Sequence, residues 1–149
     1  MTLVTDPIER FNGAWGFLSN FFPAQLNWEG ATYKTSEHAF NAGKTTDPER
    51  RLWVAAAPSP GEAKERGRRL KLRPEWDEKI RYEVMADVLF AKFAYDAERV
   101  RRLMLTGDRH LIEGNDWHDV HWGVCSCRNH GFGENHLGRL LMELREKLR

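Results

Sequence analysis

The dipeptides Asp47-Pro48 and Ser59-Pro60 fix where helices can begin in the middle of this chain. Proline loses nothing in a first helical turn, because its φ is already helical and the turn leaves that N–H unbonded anyway. The Asp or Ser before it has a side-chain oxygen that accepts from the orphan N–H groups of the same turn. The pattern predicts one helix from Pro48 to near Ala57, ahead of Pro58, and another from Pro60 to about Leu70. Pro74 introduces the longest, whose Trp76, Ile80, Val84, Met85, Val88, Leu89 and Phe93 recur near helical spacing. Asp96 is placed to cap a further helix carrying Val100, Leu103 and Met104. Helices following one another without intervening strands argue against a doubly wound parallel sheet.

The flanks read differently. The stretch through Tyr33, FNGAWGFLSNFFPAQLNWEGATY, is aromatic and rich in turn signals. Leu26 and Trp28 alternate with polar neighbours, and Ala31 and Tyr33 resume beyond Glu29-Gly30, which predicts a short hairpin. Thr35 or Ser36 can cap a helix to about Lys44. His110 to Gly114, HLIEG, reads as a short buried strand, and Asn135 opens a final amphipathic helix with Leu137, Leu140, Leu141, Leu144 and Leu148 inside. The expected fold is α+β and mainly α, a single compact helical domain with a small N-terminal β element. A chain of 149 residues suits one such core.

No apolar run approaches the roughly 18 residues of a membrane span, and the start, MTLVTDPIERFNG, lacks the apolar segment of a signal peptide. Two cysteines one residue apart make no disulfide framework, so a cytoplasmic setting is expected. The net charge of +1 implies no general attraction to polyanions. The run Lys64 to Arg73, KERGRRLKLR, is nonetheless strongly basic, and reads either as a solvated helix face or as a phosphate- or nucleic-acid-facing patch.

The segment TSEHAFNAGK carries unusual chemistry for a short helix. At about 100° per residue, Lys44 falls within about 20° of Glu37, with Phe40 and Asn41 on the same side. Surface decoration of the helix dipole explains a Glu early and a Lys late. Ala39, Ala42 and Gly43, however, let a neighbouring backbone come close, as a buried helix requires. A buried Glu and Lys must then be paired or used. A desolvated lysine loses proton affinity and becomes a nucleophile towards an aldehyde or sugar carbon.

GFLSNFFP, TSEHAFNAGK, LIEGNDWHDVHWG and GENHLGRLLMELR occur in this order between about Phe11 and Arg145, and in combination the chain resembles the YbiA/NADAR family. The resemblance implies hydrolysis of N-glycosidic bonds on ribosylated substrates: ribosylamino-pyrimidine phosphates of riboflavin synthesis, or ADP-ribose on guanine in nucleic acid. It implies no cofactor and no metal. By position it points to Glu37, Lys44, Glu113 and Asp119 as catalytic residues, and to Ser19, Asn20, Trp122, Gly123, Asn135 and Gly138 in binding. Phe21 and Asn41 join the binding set from their neighbourhoods. The run VCSCRNHGFGE departs from the family pattern, so Cys125 and Cys127 inherit no role.

Zinc is the rival for His118 to Asn135. His118, His121, Cys125, Cys127 and His130 are suitable ligand types, but H-x2-H-x3-C-x-C-x2-H is not a paired ligand knuckle. Gly123, Gly131 and Gly133 suit instead a loop whose backbone approaches a ligand, and Trp122 either stacks on a base or sugar or packs in the core. Asn135 and the N–H groups of the last helix either hold a phosphate or ribose hydroxyl or form an ordinary cap. In the expected reaction Glu37 or Asp119 stabilises charge on the ribose, Glu113 or Asp119 protonates the departing base, and Lys44 attacks C1′ or leaves that task to water. The expectation is that Glu37, Lys44 and Trp122 converge on one sugar. A non-catalytic ADP-ribose or nucleotide-binding module and a zinc-stabilised interaction domain are the alternatives.

Overall fold

Thr35, Asp47 and Ser59 each begin a helix by accepting a hydrogen bond from a first-turn N–H, those of His38, Glu49 and Glu62 respectively. Asp96 does the same for Glu98 and Arg99. The computed structural model describes residues 5–127 and 132–149, an α+β fold made mainly of helix. It divides into two compact units, Asn20–Tyr95 and the chain up to Ser19 with Asp96–Arg149.

In the Asn20–Tyr95 unit, β1 (Leu26–Trp28) pairs antiparallel with β2 (Ala31–Tyr33), Leu26 opposite Tyr33 and Trp28 opposite Ala31. Glu29 and Gly30 turn between them with φ of 46° and 82°, the double left-handed step that tight hairpins use. Four helices follow: α1 (Ser36–Ala42), α2 (Pro48–Ala55), α3 (Pro60–Arg68) and α4 (Arg81–Phe93). The helix expected after Pro74 begins less simply. Glu75 takes a left-handed conformation and Trp76–Ile80 forms a π-helical turn before α4 proper. That turn brings Trp76 onto Phe40, ring centroids 5.3 Å apart.

Helix α1 packs against α2, α3 and α4, and every residue in it is buried. Ala39 and Ala42 have no exposed surface. A side chain at Gly43 would begin 2.6 Å from Val84 Cγ1, so the missing Cβ sets how closely α4 approaches. Tyr33, Val54, Met85, Val88, Leu89 and Phe93 complete this core. His38 lies fully buried within it, its Nδ1 2.7 Å from Thr35 Oγ1 and its Nε2 3.0 Å from Ala57 O. Burial pushes its proton affinity down, so a neutral ring ties α1 to the end of α2.

In the second unit a 3-10 turn, Gly13–Leu18, precedes α5 (Ala97–Met104), β3 (Gly114–Asn115), β4 (Val124–Cys125) and α6 (His136–Lys147). Leu111 meets Ile8 in a parallel bridge. The strand expected over His110–Gly114 is thus a single bridge, and the regular pairing is displaced to β3, parallel to β4. Leu137, Leu140, Leu141 and Leu144 of α6 are buried as expected, while Leu148 is the half-buried cap. Arg145, also on α6, is buried and donates to Thr106 Oγ1 and Arg109 O. Among the described residues no helix is long and apolar enough to cross a membrane.

Because folding lowers the His38 pKa below its ordinary 6.5, the unfolded chain takes up the proton first as pH falls. His38 therefore contributes stability that is complete above about pH 6.5 and is lost as pH falls through the folded-state value. Urea unfolding as a function of pH is expected to show this decline in the wild type and a flatter profile in His38→Gln.

Candidate active site

Glu37 and Asn41 stand one helical turn apart on α1. Asn41 Nδ2 donates to the Glu37 carbonyl at 2.8 Å and to Glu37 Oε1 at 3.0 Å. Asn41 Oδ1 lies against Gly67 of α3, where a Cβ would sit only 2.2 Å away. Gly67 therefore makes the space that lets Asn41 hold the Glu37 carboxylate. The start of α1 is fixed by Asn20: its carbonyl accepts from Glu37 N at 3.1 Å, and its Oδ1 accepts from Ser36 Oγ at 2.8 Å. Asn20 Nδ2 points to Met85 Sδ at 3.5 Å. The amide expected to orient a substrate hydroxyl thus serves the helix that carries Glu37. Phe21, next to it, is 45% exposed.

Lys44 follows Gly43, the last residue of the α1 turn, and is half-buried. Burial lowers its proton affinity, the Glu37 carboxylate opposes that, and the cations Arg68 and Lys64 add to the lowering, with Asp77 opposing. A carboxylate and an amine of reduced basicity therefore share one environment, as the sequence suggested. Part of the basic run is structural. Arg66 donates to Trp53 O at 2.7 Å, and Arg73 donates to Gly43 O at 3.3 Å and, through its own N–H, to Lys44 O at 2.9 Å. Arg68, Arg69 and Lys71 stay exposed.

In the other unit two polar side chains build the loop that carries Trp122. Asn115, fully buried, accepts from Trp117 N and Asp119 N and donates to Asp119 O. Asp119 Oδ1 accepts from His121 N at 3.1 Å and Trp122 N at 2.9 Å. Trp122 is half-buried, its indole edge-on to His121 at 5.1 Å and to His136 at 6.1 Å.

Asn135 meets neither expected arrangement. It adopts a left-handed φ of 53° and makes no side-chain cap bond. Its amide bridges instead from Leu111 O, at 2.9 Å, to Glu113 N, at 3.0 Å. The first N–H groups of α6 are also occupied, His136 N by His121 O and Leu137 N by Trp122 O. The glycines follow the same logic. A Cβ would lie 2.1 Å from Glu113 O at Gly123, 2.1 Å from Gly123 O at Gly133, and 2.0 Å from Leu111 O at Gly138. Backbone approaches backbone at these positions, where the sequence suggested approach to a ligand. Ser19 ends the 3-10 turn, its N–H donating to Gly16 O.

Of the described candidate zinc ligands, His118, Cys125 and Cys127 lie together and His121 lies in a different group. Cys125 and Cys127, too close in sequence to suggest a disulfide framework, are joined in a disulfide, with His118 beside them. His121 groups with Glu134 and His136. His130 and Gly131 lie outside the described residues. Glu134, His136 and Gly67 were not singled out from the sequence; the only signal for the first two is their spacing about Asn135, whose left-handed turn is invisible to periodicity.

The sequence matches the NADAR domain family over residues 9–149. It is 40% identical over 136 residues to N-glycosidase YbiA of Escherichia coli (strain K12), covering 90% of this chain and 82% of that one. It is 34% identical to a riboflavin biosynthesis protein of Vibrio vulnificus (strain YJ016), covering 89% of this chain and 35% of that longer protein. The NMR structure of the E. coli protein YbiA superposes with a TM-score of 0.82 at 36% identity, covering 98% of this chain and 87% of that one. An α+β fold with a half-buried amine in the field of a buried carboxylate thus coincides with a family match along nearly the whole sequence. The chain belongs to the NADAR family.

Gly67→Ala is expected to destabilise the protein by about 1–3 kcal/mol, since the added methyl must displace Asn41 or α3. Gly61→Ala, in the same helix and meeting nothing closer than 3.9 Å, is expected to be neutral or stabilising by up to about 1 kcal/mol. Parallel urea denaturation of the two variants checks the contrast.

Proposed function

We propose that this chain is an N-glycosidase that hydrolyses the bond between ribose C1′ and the nitrogen of a base. The carrying observation is the half-buried Lys44, lowered in proton affinity, in the field of a buried Glu37. The names of its relatives, N-glycosidase and riboflavin biosynthesis protein, point to the same chemistry. The match over residues 9–149 takes in both units and supports treating the chain as one functional domain.

In the proposed reaction the neutral Lys44 amine attacks C1′ as the base departs with a proton from an acid. As the C1′–O4′ bond opens, one proton passes from Nζ to O4′ and leaves a protonated imine, the iminium, between Nζ and C1′. Water then adds to C1′, the C1′–Nζ bond breaks to free the amine and an open-chain aldehyde, O4′ adds back to close the ring, and the surplus proton returns to the acid. Glu37 stabilises the positive charge on the sugar and on the iminium, and relays the Nζ proton to O4′ so that it stays a carboxylate. Glu113 is the better proton donor, because Asp119 Oδ1 already accepts from two backbone N–H groups. Trp122 offers an indole face to the base, and Phe21 an exposed ring. Asn41 acts through Glu37, and Ser19, Asn20, Gly123, Asn135 and Gly138 through the backbone around these residues.

The favoured substrate is a ribosylamino-pyrimidine phosphate, in keeping with the name of the Vibrio relative. The exposed Arg68, Arg69 and Lys71 support a second reading, ADP-ribose on guanine in nucleic acid. The cytoplasm is the proposed compartment, since phosphorylated substrates of either kind do not diffuse across membranes.

Incubation with each substrate and sodium borohydride, followed by peptide mass analysis, tests the reading. A reduced sugar adduct on Lys44 is expected with the true substrate, and none in Lys44→Arg. Activity is expected to fall at least about 100-fold in Lys44→Arg and Glu37→Gln. It should rise with pH through an apparent pKa below the ordinary lysine 10.5, because the neutral amine is the reactive form. Lys44→Arg turning over at the wild-type rate would remove lysine from the mechanism.

A further inference from the structure

Two imidazoles and a carboxylate meet on the surface beside Trp122, and the proposed reaction uses none of them. His121 Nδ1 lies 3.1 Å and His136 Nε2 2.8 Å from one oxygen, Glu134 Oε2. The two rings are 4.6 Å apart between centroids. All three donor atoms fall within 4.8 Å of one another. The side chains are accessible, His121 at 28%, His136 at 20% and Glu134 at 62% exposure.

The frame beneath them is backbone-bonded. Glu134 N donates to Val120 O at 2.8 Å and His136 N to His121 O at 3.2 Å, so the two segments that supply the ligands are tied residue to residue. Gly133 permits this approach, since a Cβ there would lie 2.1 Å from Gly123 O. The left-handed Asn135, anchored by its amide to Leu111 and Glu113, directs Glu134 and His136 to the same point. A site set on such a frame loses little freedom when an ion binds.

We propose that His121, Glu134 and His136 form a binding site for a first-row divalent transition-metal ion, with zinc as the reference ion. Two histidines and one glutamate are a recognised three-ligand set for zinc, with water in the fourth position. Zinc–ligand distances of about 2.0–2.2 Å place tetrahedral ligand atoms about 3.3 Å apart, so the two nitrogen–oxygen pairs need to spread by about half an ångström or less. In the metal-free state the shared oxygen accepts an N–H from each ring; on binding, each ring carries that proton on its other nitrogen instead, and the freed lone pair goes to the ion. Arg139 Nη2, 3.1 Å from His136 Nδ1, then turns to Glu143, with which Nη1 already pairs at 2.9 Å. The neighbouring trio of His118, Cys125 and Cys127 is a poorer site, since both sulfurs are committed to a disulfide and are not thiolates.

The experiment uses the full chain, stripped with a chelator and equilibrated with zinc, in wild-type and Cys125→Ser/Cys127→Ser forms. Both are expected to bind one equivalent by equilibrium dialysis with elemental analysis, and to melt at higher temperature with zinc. His121→Ala and His136→Ala are each expected to weaken binding at least about tenfold. Glu134→Gln, which keeps the size of the side chain and the hydrogen-bonding oxygen, should weaken it similarly without altering the metal-free melt. Cobalt substitution should give d–d bands without sulfur-to-metal charge transfer. Absence of binding up to millimolar zinc, or binding that survives the histidine changes but is lost in the cysteine variant, would overturn the proposal. Neither result bears on the borohydride adduct at Lys44, so the two readings fail separately.

Discussion

The burial of α1 is the constraint on which the Asn20–Tyr95 unit depends. A seven-residue helix holding Glu, His, Asn and Ser lies buried along its whole length, so its polar groups draw on partners inside the protein, with Asn41 Oδ1 left without one. Thr35 and Ala57 bracket His38, Asn20 accepts from Ser36, and Asn41 donates to Glu37. Those partnerships in turn dictate where side chains must be missing. Gly43 admits α4 and Gly67 admits the Asn41 amide. The apolar residues of the unit close around a polar axis, and the Asn41 amide holds the carboxylate on that axis.

What was legible in the sequence was local. Thr35, Asp47, Ser59 and Asp96 disclosed the helix starts because a cap is satisfied by N–H groups two or three residues away. The hairpin at Glu29-Gly30 was legible for the same reason, and so was the inward stripe of α6. Features set by distant partners were not. The π-helical turn at Trp76–Ile80 follows from docking Trp76 on Phe40 across the sequence. The β3–β4 pair is two residues long on each side, too short for any alternation to register.

The candidate residues around Trp122 show why residue type alone cannot assign a role there. Amides and carboxylates that suit a sugar suit a loop backbone equally well, and both needs favour Asn, Asp and Gly. Asn115, Asp119 and Asn135 together satisfy backbone groups from Leu111 to Trp122. Gly123, Gly133 and Gly138 let those strands of chain pass at distances a Cβ would forbid. The loop is therefore prepared by its own polar side chains, and the half-buried indole of Trp122 packs edge-on with the rings of His121 and His136. Sequence reasoning located the segment and its tryptophan. It could not separate residues that build the loop from residues that face away from it, because that division depends on a left-handed turn at Asn135.

The electrostatic setting of Lys44 also gives the proposed reaction a direction. Before substrate binds, burial and the cations Arg68 and Lys64 act against protonation, which favours the neutral amine needed for attack. A substrate phosphate near those cations would cancel part of their field, while leaving Glu37 in place. Once Nζ has bonded to C1′ it carries positive charge as the iminium, and the balance then favours that charge. The same groups would thus favour the amine in the free enzyme and the cation in the covalent intermediate, without movement of the helix. A rigid α1 is what such a mechanism requires: the change of charge preference comes from the arriving anion, and the carboxylate must stay where Asn41 and Gly67 hold it.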